Sequence, residues 1–152
     1  MRGILKMVMN MKTSEEILSS ILKTTQMGQV GIRCVMDYAV GADLRRALKS
    51  QLKEYDSIES EAHAIASRRG WQVPELNSGI RAMSTMMSRM NMAVGVSDSK
   101  IAGMMIQGNT RGMIKTGKNR NHSKSHDEAV NALGRRLLEK EEENIQQMKS
   151  FL

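Results

Sequence analysis

Glu54, Glu61, Glu141 and Glu142 border two apolar helical stripes. Carboxylates in such places can hold a hard or borderline cation, and iron or another divalent metal is the cofactor they would suit. A di-iron bundle asks for more: a Glu from each of two helices, and Glu-x-x-His from each of the other two. Positions i and i+3 share one helix face, so both side chains of that motif reach one metal pair. This chain departs from the pattern. Three residues after Glu54 comes Ser57, after Glu141 comes Asn144, and after Glu142 comes Ile145. Glu59 and His63 are four apart, but His63 lies late in its helix. The first helix offers Gln26 and Asp37, and the third Gln107 and Asn109. Amides replace anionic and imidazole donors poorly, so most of a di-iron oxidation centre is missing. The plainer reading of the glutamates is a solvated face with helical ion pairing, as Glu139 and Glu143 suggest beside Lys140 and Lys149. The leading expectation is therefore no cofactor, with a degenerate carboxylate metal site as the alternative.

Three further constellations bear on function. His122, His126, Asp127 and Glu128 could hold a metal only if both histidines lay on one helix. Ser125 followed by Glu128 reads as a capping box, which leaves His122 in a loop and assigns the acids to the helix dipole. Met83, Met86, Met87 and Met90 share a helical face. Thioethers are soft enough for Cu(I), but methionine also fills gaps and makes adaptable binding surfaces, so these four read as a partner surface. Arg111, Lys115, Lys118, Arg120 and Lys124 form a basic patch with no acid between Arg111 and Lys124. Such a patch can contact phosphates, yet it reads first as a solvated loop before the last helix. No stacking aromatics or helix-turn-helix motif accompany it, so nucleic acid is disfavoured as a partner. Gly108, Gly112 and Gly117 lack the strand context and the Lys-Ser/Thr ending of a phosphate loop. Cys34 has no activating neighbour in sequence and reads as a small buried hydrophobe.

The elements that must position these residues are helical. Thr13 followed by Glu16 is a capping box, and Ile17, Ile21, Thr25, Gly28, Ile32, Val35 and Ala39 recur at three and four. This predicts a helix from Thr13 to Val40. Gly41 reads as its cap and Asp43 as the N-cap of a second helix, Leu44 to Arg69, ended by Gly70. So short a joint makes the two helices antiparallel neighbours. A crossover around the single proline, Pro74, carries a short helix from Gly79 to Val94. A third long helix is predicted from Ile101 to about Thr116, with the stripe Ile101, Met104, Met105, Gly108 and Gly112. The last runs from His126 to Leu152 behind the Ser125 cap. Residues 1–12 read as a ragged tail, and 13–152 as one helical bundle. Two hairpins joined by one long crossover is the ferritin-like arrangement.

Composition agrees. Among 152 residues, aromatics are 3% and there is one proline, so a sandwich or barrel lacks its strand and turn residues. There are 15 methionines, eight of them between Met83 and Met113, which predicts a soft aliphatic core. A net charge of +7 raises anionic partners as a class. One cysteine cannot close an internal disulfide, which fits a reducing cytoplasm. No stretch approaches the roughly 18 apolar residues of a membrane span, so no membrane role is expected.

Three segments carry a family resemblance: Ser99-Lys-Ile-Ala-Gly-Met-Met-Ile-Gln-Gly-Asn-Thr-Arg-Gly-Met113, Leu138-Glu-Lys-Glu-Glu-Glu-Asn-Ile-Gln-Gln-Met-Lys-Ser-Phe-Leu152 and Gln51-Leu-Lys-Glu-Tyr55. They resemble a ferritin-like, rubrerythrin-like four-helix-bundle family of small proteins from anaerobic Gram-positive bacteria. The resemblance spans nearly all of Ser14 to Leu152. It implies the bundle fold and assigns no activity. The expectation is a small cytoplasmic ferritin-like bundle that binds or scaffolds rather than catalyses, possible as a homodimer through its methionine face. A redox or metal-handling role and a basic nucleic-acid accessory role are the alternatives.

Overall fold

A computed structural model of the chain describes residues 12–73, 96–123 and 125–152. Four helices hold most of them: α1 (Ser14–Met36), α2 (Ala42–Arg69), α3 (Asp98–Asn121) and α4 (Glu128–Lys149). The described residues contain no strand, and a single parallel bridge joins Lys12 to Ser123. The expected short helix between Gly79 and Val94, with Met83, Met86, Met87 and Met90, lies outside the described residues, as do 1–11 and Lys124.

The predicted start of α1 is observed. Thr13 is the N-cap, its hydroxyl oxygen accepting from the Glu16 N–H at 3.2 Å, and its hydroxyl donates to the Glu16 carboxylate at 3.1 Å. The helix ends at Met36, not Val40. The joint that follows is shaped by a residue far away in sequence. Asp98, the first residue of α3, accepts from the Val40 and Gly41 N–H groups at 2.8 Å each. This carboxylate serves the start of α2, so Gly41 rather than Asp43 occupies the N-cap. A Cβ on Gly41 would stand 2.7 Å from the Asp98 oxygen, which explains the glycine. At the other end of α2, Gly70 closes the helix at φ 69°, as the sequence predicts.

The third helix is longer than its apolar stripe suggests. It begins at Asp98 behind a Ser97 cap and runs through the predicted basic loop to Asn121. Thr116 is buried there and the Asn119 amide donates to Ser20 Oγ at 2.6 Å, so tertiary contacts hold the polar segment helical. Lys118 and Arg120 also suit the negative end of the helix. Its buried stripe is Ile101, Ala102, Met105, Asn109 and Thr116, in place of one through Met104 and Gly108.

The cap of α4 is likewise corrected, from Ser125 to Asp127, with the helix starting at Glu128. The Asp127 carboxylate accepts from the Ala129 and Val130 N–H groups at 3.1 and 3.3 Å. It also receives the Arg69 guanidinium at 2.7 Å, tying the end of α2 to the start of α4. Ser125 instead accepts the Ser14 hydroxyl at 2.9 Å.

The core lies between the four helices. Leu18, Leu22 and Ile32 of α1 meet Leu44, Leu48, Ile58 and Ile65 of α2, Ile101 of α3, and Leu137 and Met148 of α4, all fully buried. Each such side chain contributes about 1.5–3 kcal/mol through apolar burial. Of the described methionines only Met105 and Met148 are buried, so this part of the core is branched aliphatic rather than methionine-rich. Cys34 is half-buried, not a core residue.

Candidate functional site

A polar cluster crosses the described part of the bundle interior. Tyr55 of α2 is 3% exposed, and its hydroxyl donates to Asn109 Oδ1 of α3 at 2.8 Å. Asn109 in turn donates to the Met105 carbonyl at 2.8 Å. The Asn144 amide of α4 donates to the Tyr55 oxygen at 3.4 Å. Three helices are thus joined through one phenol. The Tyr55 ring needs space, and Gly28 of α1 supplies it: a Cβ there would lie 2.7 Å from the ring carbons. Farther along, Gln51 donates to Gln147 Oε1 at 2.7 Å, while its own Oε1 has no partner.

Glu141 belongs to the same interior, one helical turn before Asn144. It is 1% exposed, and its Oε2 has no hydrogen-bond partner. The carboxyl group lies over Gly112 of α3, where a Cβ would come within 2.7 Å of Oε2 and 2.8 Å of Cδ. Burial without a countercharge disfavours the anion, and the Glu141 carboxyl is pushed up to about 8. At neutral pH it is mostly a neutral acid. Burial also raises the Tyr55 hydroxyl, the nearby Glu141 adds to this, and the Asn144 hydrogen bond opposes it.

The other three predicted glutamates do not join Glu141. Glu54 is on the surface, 3.5 Å from Arg136 and 4.0 Å from Lys140. Glu61 pairs with Arg68 at 3.7 Å with both side chains about half exposed. Glu142 is exposed, since one residue along a helix turns the side chain by about 100° from its neighbour. The histidine-centred cluster also disperses. His122 and His126 are exposed, Asp127 is committed to its cap and to Arg69, and Glu128 accepts from Arg135 at 3.0 Å. Among the described residues no group of three or more His, Cys, Asp or Glu could hold a metal ion. The donor set therefore does not fit a di-metal pair.

The basic residues are brought together differently from the loop that their sequence suggested. Arg111, Lys115 and Lys118 fall on one exposed side of α3, and Arg120 lies towards α4, its Cγ 3.9 Å from where a Gly134 Cβ would stand. Lys115 is pushed below the ordinary lysine value by partial burial, then by the charges of Lys23 and Lys12. That places cations of α1 and of the segment before it beside α3.

Tyr55 is the functional candidate that sequence reasoning left out, while Asn109 and Asn144 entered it only as amides unfit to hold a metal. In the sequence Tyr55 stood out only as the end of the Gln51–Tyr55 segment that carries the family resemblance. The signal for Asn144 was its i+3 spacing from Glu141, which puts both on one face.

The comparisons with known proteins bear on the fold. No family model matches the chain, and no curated protein matches it. Among solved structures, it is similar to a conserved hypothetical protein, rv2844, from Mycobacterium tuberculosis, with a TM-score of 0.68. The match covers 91% of this chain and 96% of that one at 12% identity. At that identity the likeness speaks for the all-helical fold alone.

Proposed function

We propose that this chain is a ferritin-like four-helix bundle that acts as a binding or scaffolding module rather than a metal oxidase. Glu141 carries the reading: it is the one buried carboxyl group among the described residues, kept neutral by burial over Gly112 and near the Tyr55 phenol. A ferritin-type centre needs several anionic and imidazole donors converging on one point. The ferritin-like arrangement as two antiparallel hairpins is supported by the short joint between α1 and α2. Gly28 meets Tyr55, and Gln29 donates to Asp56 at 2.8 Å, on either side of it. No helix of the described residues is long and apolar enough to cross a membrane, in keeping with the cytoplasmic placement proposed from the single cysteine. A homodimer through Met83, Met86, Met87 and Met90 stays part of the proposal.

The test is elemental analysis of protein purified from its native host, with aerobic Fe(II) addition. The module reading expects no stoichiometric iron, manganese or zinc and no iron oxidation above the protein-free rate. Stoichiometric metal lost in Glu141→Gln would overturn it in favour of a degenerate carboxylate site.

A further inference from the structure

Taking the binding-module reading as its basis, we propose that the face shared by α1 and α3 docks the phosphate backbone of a nucleic acid. The residues are Lys12, Lys23, Arg111, Lys115 and Lys118. The helical course of α3 carries this inference. On a helix, Arg111, Lys115 and Lys118 stand at i, i+4 and i+7, a rigid row about 10 Å long. Were the helix to end at Thr116, as its apolar stripe suggests, Lys118 would leave the row. Lys12 is held at the end of α3 by its N–H donating to the His122 carbonyl at 3.3 Å, and the Asn119–Ser20 hydrogen bond sets α1, one turn before Lys23, against the same stretch of α3. The charges of both lysines depress Lys115.

Among the described residues the charges of this face are uncompensated. None of the five cations forms an ion pair with another described residue. Lys49, Lys53, Lys100 and Lys149 likewise form no ion pair with a described residue, so the gathering of the charges on one face, not their lack of partners alone, sets it apart. Every described arginine outside α3 is engaged: Arg33 with Asp56, Arg46 with Asp43, Arg68 with Glu61, and Arg69 with Asp127. Arg135 and Arg136 pair with Glu128 and Glu54, and Arg45 donates to the Ala39 carbonyl. Asp98 is the one acid on α3, and both its oxygens are taken by Val40 and Gly41 at the far end. Glu16, in the first turn of α1, accepts from Thr13.

Like charges gathered without counterions cost stability, and an anionic partner relieves that cost. A row of point charges suits a repeating line of phosphates. Lysines meet phosphates as point charges and the row carries no stacking aromatic, so the proposed contact is with the backbone and independent of sequence. Ile114, 50% exposed, borders the row, and a lone exposed aliphatic residue is ordinary on a protein surface.

The experiment is fluorescence anisotropy of a labelled mixed-sequence DNA duplex with the full chain, between about 50 and about 200 mM salt. With four to five phosphates neutralised, log K should fall against log salt with a slope of about −4. Lys23→Ala, Arg111→Ala and Lys115→Ala should each weaken binding and reduce the slope by about 1, whatever the duplex sequence. Lys49→Ala and Lys53→Ala, exposed cations of α2, should leave the slope unchanged. Circular dichroism confirms that each variant is folded. No binding at low salt, or equal losses from the α2 variants, overturns the inference. So does preferential binding of polyglutamate over the duplex, which assigns the face to an acidic protein. Iron oxidation by the same preparation would instead strike at the module reading, so the two failures are distinguishable.

Discussion

Gly112 and Glu141 are spatial complements: the carboxyl group of the one occupies the volume that a side chain on the other would need. A helix loses about 1 kcal/mol by carrying glycine in its interior. An unpartnered buried carboxyl costs further stability. Two unfavourable choices therefore meet at one contact between α3 and α4, which makes it the natural place to probe.

Gly112→Ala should destabilise the bundle by about 1–3 kcal/mol, because the new methyl group overlaps the carboxyl oxygens. Glu141→Ala should remove most of that penalty, so the double variant will be more stable than the sum of the two single changes predicts. Urea denaturation of the four proteins in the cycle measures the coupling.

Stability should also depend on pH through Glu141. Its carboxyl ionises near the ordinary 4.5 when unfolded and near 8 when folded. Between those values the folded chain holds the extra proton, so stability declines as pH rises and levels off once both states are ionised. The slope approaches about 1.4 kcal/mol per pH unit within that window. Denaturation series from pH 5 to pH 9 (about one unit apart) should show the decline in the native sequence. In Glu141→Gln it should be largely gone; an unchanged profile would contradict the assignment.

Tyr55→Phe keeps the ring against Gly28 and deletes the hydroxyl. Asn109 Oδ1 then loses its donor and Asn144 Nδ2 its acceptor. A loss of about 1–3 kcal/mol is expected, the cost of leaving buried polar groups unpaired. Amide hydrogen exchange should rise in α3 and α4 around those two asparagines.

Asp127 ties two elements, capping α4 and pairing with Arg69. Asp127→Ala should cost about 1 kcal/mol through the lost cap alone, and Asp127→Asn, which keeps a capping oxygen, less. The Arg69 hydrogen bond holds the Asp127 carboxyl below its ordinary value of 3.8. Its contribution is therefore present above that value and lost as pH falls through the lower folded one. Thermal melts of Asp127→Asn should show a smaller acid-side loss than the native chain.

Much of the fold was legible from local rules. The Thr13 cap with its Glu16 partner, the Gly70 stop and the apolar period of α1 involve residues within a turn or two of one another. Their geometry follows from spacing. The boundaries that changed were set from a distance. Asp98 caps the joint at Gly41, Arg69 selects Asp127 over Ser125, and Ser20 with buried Thr116 keeps the basic segment of α3 helical.

The candidate site divides along the same line. The sequence alone determined an all-helical chain, an incomplete ligand set and a stretch of cations without acids. It named four glutamates without distinguishing them. Only packing could decide that Glu141 turns inward over Gly112, while Glu54 and Glu61 find surface cations and Glu142 faces solvent. The physical reason is that a carboxylate's role depends on what lies opposite it. For Glu141 that is a glycine on another helix, 29 residues earlier in the chain, and helix periodicity carries no information about such a partner.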